Sequence, residues 1–181
     1  MSQCALVDCL RTMTQNDRLT SDPDSSLRVR LATEADRPRL IPLINSAFSI
    51  ETFLEGTRTD EERLAAMMQK GTILAAEDSA GRLLGCVYTE VRGKRGYLGQ
   101  LAVDPAHQGK GLAIRLVAAA EEHLRRHGCE AVEITVLSLR PELPPIYRRY
   151  GYVETSTEEF HPTQSLKSGV ECHGIVMAKR L

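Results

Sequence analysis

The segment Leu101-Ala102-Val103-Asp104-Pro105-Ala106-His107-Gln108-Gly109-Lys110-Gly111-Leu112-Ala113 combines residue types and spacing that could do chemistry. A strand-like run ends, Asp-Pro turns the chain, and a loop with two glycines enters a long amphipathic stretch. The first turn of a helix carries backbone N–H groups without intrahelical acceptors, and the peptide dipoles add about half a positive charge there. Glycines let a bulky anion approach the backbone, so such a loop can hold a phosphate with few side chains. Two rival phosphate loops are excluded by their spelling. A Walker A loop needs glycine where Asp104 stands and Ser or Thr where Gly111 stands; a dinucleotide fingerprint begun at Gly109 needs glycine where Ile114 stands. What remains is Gln108-x-x-Gly111-x-Ala113.

Elements that must position this loop can be read on either side of it. Leu27–Leu31 reads as a strand. Thr33-Glu34-Ala35-Asp36 is a helix start of the capping-box type, and Leu40, Leu43, Ile44, Ala47 and Phe48 form one apolar face. Pro38 and Pro42 within that helix predict a kink or a late start. Thr59-Asp60-Glu61-Glu62 opens a second helix, with Leu64, Met67 and Met68 inward and Gly71 at its end. The strands Thr72–Glu77, Arg82–Arg92 and Tyr97–Val103, on short turns, predict an antiparallel meander. A long helix over about Gly109–His127 follows, with Leu112, Leu116, Val117, Ala120 and Leu124 on one face. Ala131–Leu137 is a β-branched strand, expected parallel to Tyr97–Val103 because a helical crossover joins them. Pro144–Tyr150 reads as a short helix, and Tyr152–Thr155 and Glu171–Lys179 as the last strands. Residues 1–26 read as a flexible tail, in which Ala5, Leu6, Val7 and Leu10 could also make a short docking helix, and 27–181 as one domain.

With the order of elements laid out, Gln-x-x-Gly-x-Ala, preceded by Leu-Ala-Val-Asp-Pro and followed by an amphipathic helix, resembles the acetyl-CoA loop of the GNAT superfamily of N-acetyltransferases. Ile146-Tyr147-Arg148-Arg149-Tyr150-Gly151-Tyr152 resembles that family's segment of Tyr, three residues, Gly and an aromatic. The resemblance covers residues 27–181. It implies an α/β fold of the α+β type: a mixed, mostly antiparallel sheet of six or seven strands flanked by helices. The central strands Tyr97–Val103 and Ala131–Leu137 would splay apart to hold acetyl-CoA. Pantetheine would bond main-chain groups of Leu101 and Val103, on either side of Ala102. Gln108 and the amides of Gly109, Lys110, Gly111, Leu112 and Ala113 would hold the pyrophosphate. Lys110 could add charge, although an exposed lysine at a helix start is more often only solvated.

The resemblance also implies chemistry: an amine attacks the thioester directly. An alkyl ammonium must first lose a proton, which costs about 4.6 kcal/mol at pH 7 for a lysine-like amine and about 1.4 kcal/mol for a peptide α-amine. The family often carries a glutamate on the strand occupied here by Tyr97–Val103, and this strand has no carboxylate. Glu90 on the neighbouring strand is the first substitute as general base. Glu51 and Glu55 come next, and a water chain on main-chain carbonyls would serve without any of them. Tyr147 matches the family tyrosine at the sulfur. Full transfer of its proton to a thiolate is uphill by about 2 kcal/mol in water, so hydrogen bonding to the developing thiolate is the safer role. A main-chain N–H near Leu101–Val103 would meet the oxyanion. His161 and His173 lie where the family often completes the acceptor pocket, though a lone histidine is more often surface or core.

Bulk properties narrow the alternatives. The 181 residues suffice for one domain, and a net charge of −1 argues against a protein that coats nucleic acid. No apolar run approaches the roughly 20 residues of a membrane span. Five cysteines without a C-x-x-C pair argue against a zinc site, so no metal is expected, and a reducing, cytoplasmic setting is the simpler reading. Cys86, Cys129 and Cys172 read as small core residues. The expected partners are acetyl-CoA and an amine of a small molecule or protein, and self-association into a homo-oligomer is compatible with the sequence. A non-catalytic acyl-CoA-binding regulatory module is the alternative from another class, and a longer acyl donor is a third reading.

Overall fold

The computed structural model describes residues 27–159 and 165–181. Its strands are β1 (Arg28–Leu31), β2 (Thr72–Glu77), β3 (Leu83–Arg92), β4 (Arg95–Val103), β5 (Ala131–Leu137), β6 (Val153–Glu159) and β7 (His173–Arg180). The helices are α1 (Arg37–Ala47), α2 (Glu61–Lys70), α3 (Leu112–Arg126) and α4 (Leu143–Arg149). The strands make one sheet in the order β1-β2-β3-β4-β5-β7-β6. Every pairing is antiparallel except β4 with β5, which the α3 crossover makes parallel. The meander and the mixed sheet are as the sequence predicts.

Both faces of the sheet are covered. On one, α3 buries Leu112, Ala113, Leu116, Val117, Ala120 and Leu124 against Leu74, Val87, Leu98, Leu101, Val103, Val132, Ile134 and Val136. Each fully buried leucine contributes about 1.5–3 kcal/mol. The helix approaches so closely that a Cβ on Gly96 would sit 2.6 Å from Leu124 Cδ1. On the other face, Leu40, Leu43, Ile44 and Ala47 of α1 and Leu64 of α2 pack on Ile73, Cys86, Tyr88 and Ala102.

Strand β4 keeps its faces in order by a bulge. Cys86 pairs with Ala102 and Tyr88 with Gly99, so β4 spends one more residue than β3 over this interval. Gln100 takes up the extra residue at φ 46°. Side chains alternate along a strand. The added residue therefore puts Leu98, Leu101 and Val103 together on the α3 side, where an unbroken strand would separate Leu98 from the other two.

Several boundaries differ from expectation for local reasons. Helix α1 starts late: Glu34–Asp36 is a 3-10 turn, and the Asp36 carboxylate accepts from the Thr33 N–H at 2.8 Å. Pro42 lies inside α1, where it can give no bond to the Pro38 carbonyl. Asp60 rather than Thr59 caps α2, accepting from the Arg63 N–H at 2.9 Å; Thr59 is buried and bonded to the Asn45 amide. Helix α3 begins at Leu112 and not at Gly109, because Gly109 and Gly111 take left-handed φ of 78° and 75°. Strand β6 runs on to Glu159. Cys86 and Cys129 are buried, but Cys172 is only half-buried. The tail 1–26 and His161 lie outside the described residues.

A buried-edge ion cluster fixes β1 to the start of α1. The Arg30 guanidinium lies 2.7 Å from Asp36 Oδ1 and 2.6 Å from Glu77 Oε1. It holds the Asp36 carboxyl far below the usual range, and lowers that of Glu77. A carboxylate whose folded pKa is depressed adds stability above its unfolded value, about 3.9 for Asp and 4.3 for Glu, and loses it as pH falls through the folded value. Melting temperature should thus drop as pH is lowered from about 5 to 3. Asp36→Asn should cost about 1–3 kcal/mol in urea at pH 7 and flatten that drop; an unchanged slope would show that other groups govern it.

Candidate active site

The parallel pairing of β4 and β5 covers only Arg95 with Ala131, Gly96 with Val132 and Tyr97 with Glu133. Beyond Tyr97 the two strands separate. Leu98–Val103 has β3 on one side, and among the described residues the main-chain edge facing β5 is left without a strand partner. A cleft of about 580 Å³ opens there, lined by β4, by Glu133–Leu137 of β5, by Arg140 and Tyr147 beyond it, and by Phe48, Glu51 and Arg58 from the α1–α2 side.

At the end of β4 the chain makes the glycine loop. Asp104 Oδ1 accepts from the Ala106 N–H at 2.8 Å, which sets the turn. Gln108 folds back, its Nε2 donating to the Val103 carbonyl at 3.1 Å, so its side chain fastens the loop to the strand. The Arg115 N–H bonds the Gly111 carbonyl at 3.3 Å. The amides of Leu112, Ala113 and Ile114 precede that bond and stand outside the helical ladder. The Leu112 and Ala113 side chains are buried, so those residues could meet a ligand only through the backbone. A Cβ on Gly111 would meet nothing within 4 Å, which leaves open space over the helix start, and Lys110 beside it is exposed.

Tyr147 projects from α4 into the cleft lining and is 8 % exposed. Its ring stands edge-on to Tyr152, centroids 5.5 Å apart. Tyr152 is fixed in turn: its hydroxyl donates to Glu121 Oε1 at 2.9 Å, and Lys179 Nζ donates to Glu121 Oε2 at 2.7 Å. Glu121 is a carboxylate buried in α3 with both oxygens engaged. Burial pushes the Tyr147 phenol well above its ordinary value, so it stays protonated through neutral pH and remains a donor.

The structure does not bring every expected residue to the cleft. Glu90 is held by Arg92, with Nε 2.9 Å from Oε1, and by the Tyr88 hydroxyl at 3.0 Å; it is not among the residues lining the cleft. Those donors lower its pKa, Arg92 foremost, and keep it ionised. Glu55 is exposed, and His173 begins β7 with its side chain exposed. Glu51 does reach the cleft, but as a buried group shared by two arginines. Arg58 Nη1 donates to its Oε2 and Arg140 Nη1 to its Oε1, each at 3.1 Å. Arg58 Nε also donates to Gln100 Oε1 at 2.9 Å, tying the β4 bulge to the α1–α2 loop, and its guanidinium lies 4.5 Å from the Phe48 ring centroid.

Arg58, Tyr97, Gln100, Glu133, Arg140 and Glu158 all line the cleft without having been singled out from sequence. Arg140 lies in an irregular stretch after β5, where an arginine reads as surface. Glu133 and Thr135 share the β5 face opposite the buried Val132, Ile134 and Val136, and the period-two pattern was their available signal. Glu158 Oε1 accepts from the Thr135 hydroxyl at 2.8 Å.

Comparison with known proteins agrees with this fold. Residues 43–163 match the Acetyltransferase (GNAT) domain family. The chain is 36 % identical over 112 residues to glucosamine 6-phosphate N-acetyltransferase 1 of Oryza sativa subsp. japonica, covering 58 % of this chain and 66 % of that one. It is 30 % identical over 140 residues to a mycothiol acetyltransferase of Propionibacterium freudenreichii subsp. shermanii, covering 73 % and 45 %. An acetyltransferase from Salmonella typhimurium, solved with its cofactor acetyl-CoA, superposes with a TM-score of 0.68 at 21 % identity, covering 87 % of this chain and 95 % of that one. A likeness at that identity shows the fold. The chain spans about two thirds or less of the curated relatives' length. With two thirds of its residues inside the matching domain, the chain belongs to the GNAT acetyltransferase family.

The Glu51 arrangement has a measurable consequence. Glu51→Gln should destabilise the fold by about 3–5 kcal/mol, the usual cost of breaking a buried ion pair from one side. Urea denaturation at pH 7 checks it; a loss below about 1 kcal/mol would mean that water screens the pair as at a surface.

Proposed function

We propose that this chain is an N-acetyltransferase that carries an acetyl group from acetyl-CoA to a primary amine of a small molecule or protein by direct attack. The observation that supports this most is the pair of features that strand β4 joins: a loop with two left-handed glycines at the start of α3, and a cleft between the parted ends of β4 and β5 with Tyr147 in its wall. A long donor with a diphosphate at one end and a thioester at the other fits that path. The residues fit the donor. Open space over Gly111 and the amides of Leu112, Ala113 and Ile114 suit the diphosphate. The edge of β4 at Leu101–Val103, without a strand partner among the described residues, suits the amides of an extended pantetheine, which would lie there as a strand.

In this reading Tyr147 donates to the sulfur as thiolate character develops, and a β4 main-chain N–H near the bulge meets the oxyanion. Glu90 is set aside as base because it stands outside the cleft. Glu51 is a poor substitute, since both of its oxygens already accept from arginines. Glu133 and Glu158 line the cleft, and the proton of the attacking ammonium leaves through one of them or a water between them. Three free cysteines among the described residues suit a reducing, cytoplasmic setting, and there no helix is long and apolar enough to cross a membrane.

Acetyl-CoA at about 100 times Kd should stabilise the protein by about 2.7 kcal/mol, a rise on the order of 5–10 °C in a melt. Pantetheine without the diphosphate should do much less. Gly111→Glu should remove the shift by placing a carboxylate where the diphosphate binds; an undiminished shift in a folded variant would sink the loop assignment. Tyr147→Phe should lower kcat at least tenfold with little change in donor affinity, as thiol release would show. Equal rates would leave Tyr147 as packing. Donor binding with no release across an amine panel would instead describe a binding module.

A further inference from the structure

Arg140 is 5 % exposed and lines the cleft, with three nitrogens to satisfy. Its Nε donates to Glu142 at 2.6 Å and its Nη1 to Glu51 at 3.1 Å. Among the described residues its Nη2 is buried with no hydrogen-bond partner. A charged N–H buried without an acceptor costs more than a lost neutral bond, so a residue of the cleft lining that carries one has a donor still to be matched. The neighbourhood favours an anion. Arg58 and Arg140 share the single buried carboxylate of Glu51 within the lining, so that corner carries two guanidinium groups to one carboxylate. Glu142, bonded to Arg140 from outside the lining, brings the four groups into balance, so the excess is confined to the cleft side. The β5–β6 wall of the same cleft is acidic, with Glu133 paired to Arg95 and Glu158 beside Thr135. Arg92 lines it too, 4.3 Å from the Tyr97 ring centroid and paired with Glu90.

We infer that the acceptor is an amine bearing its own anionic group, a carboxylate or a phosphate, which the Arg140 guanidinium binds while the ammonium end faces the glutamates of β5 and β6. This rests on the acetyl-transfer reading and narrows its substrate class. The donor does not account for the site. In that reading its diphosphate lies at the start of α3, and its pantetheine arm is uncharged. A guanidinium presents paired donors in the plane of a carboxylate or phosphate, and one anchored through Nε and Nη1 pays little entropy to present Nη2.

The test uses the full chain saturated with CoA, so that the diphosphate site is filled, titrated separately with inorganic phosphate and with acetate. Saturable stabilisation by one of them, weakened at least tenfold in Arg140→Gln with CoA affinity within twofold of wild type, is the expected result. The two titrations tell a phosphate site from a carboxylate site. Arg140→Lys keeps a charge for Glu51 and removes the second donor, so it replaces the glutamine variant if that fails to fold. Matched amines give the second readout: β-alanine against β-alaninamide, and glucosamine 6-phosphate against glucosamine, with the anionic member of one pair favoured at least tenfold in kcat/KM and the preference lost in the variant. Absence of saturable anion binding, or binding unchanged by the substitutions, overturns the assignment, as does equal use of the neutral amines. Loss of CoA affinity in the variants would assign Arg140 to the donor and also overturn it. Failure of wild-type protein to bind CoA would instead bring down the acetyl-transfer reading, and this one with it.

Discussion

The parting of β4 from β5 after three residue pairs is the constraint on which the rest of the site depends. Within a sheet an exposed main-chain edge is normally paired or blunted, because its N–H and C=O groups otherwise need water or another chain. Here the edge is kept, near the middle of the sheet, by elements that pull the two strands to different neighbours. Strand β4 continues on β3, and β5 stays with β7 over its whole length, from Ala131 with Arg180 to Leu137 with Gly174. Helix α3 lies over β3 and β4, with Leu116 against Gly85 and Leu124 against Gly96. The gap is thus a product of good pairing elsewhere, and the interior can be well packed while its centre stays open.

The cleft wall is built from charges that hold one another. Two arginines converge on Glu51, and Arg58 continues to Gln100 on β4. Removing charges from water is costly, and such groups persist only where partners repay them. The same linkage ties the α1–α2 loop to the β4 bulge. Tyr147 is supported by ring contacts, with Tyr152 and the part-buried Glu121–Lys179 pair behind it. One wall is thereby set by polar bonds and the other by aromatic packing.

Much of this was legible in the sequence because it follows local rules. The periodicity of Leu112, Leu116, Val117, Ala120 and Leu124 gave the crossover helix, and the crossover gave the parallel pair. Gln108, Gly111 and Ala113 gave the loop. Glu90 shows where local reading stops. Proximity to β4 made it a candidate, but Glu90 pairs with Tyr97 across β3 and β4 and finds Arg92 two residues on, so its side chain is spent before it reaches the cleft. Arg140 and Glu51 stand 89 residues apart and meet only in the folded chain. Nothing within either segment announces the other. The bulge at Gln100 was equally silent, since a glutamine carries no signature of left-handed φ.

That bulge gives β4 an unequal tolerance for changes of length. The segment Gly99–Ala102 faces Cys86–Tyr88 with one residue to spare, and the spare residue decides which side of the sheet everything after it occupies. Deleting Gln100 would leave an ordinary ladder with Leu98, Leu101 and Val103 still facing α3, at the loss of the amide that Arg58 bonds, whereas inserting one more residue there would turn Leu101 and Val103 toward α1 and Ala102 toward α3. The hairpin turns at Gly81 and Gly93 have open space around them and could absorb inserted residues without such inversion. Among relatives that share this site, insertions should therefore collect at the hairpin tips and avoid the centre of the fourth strand.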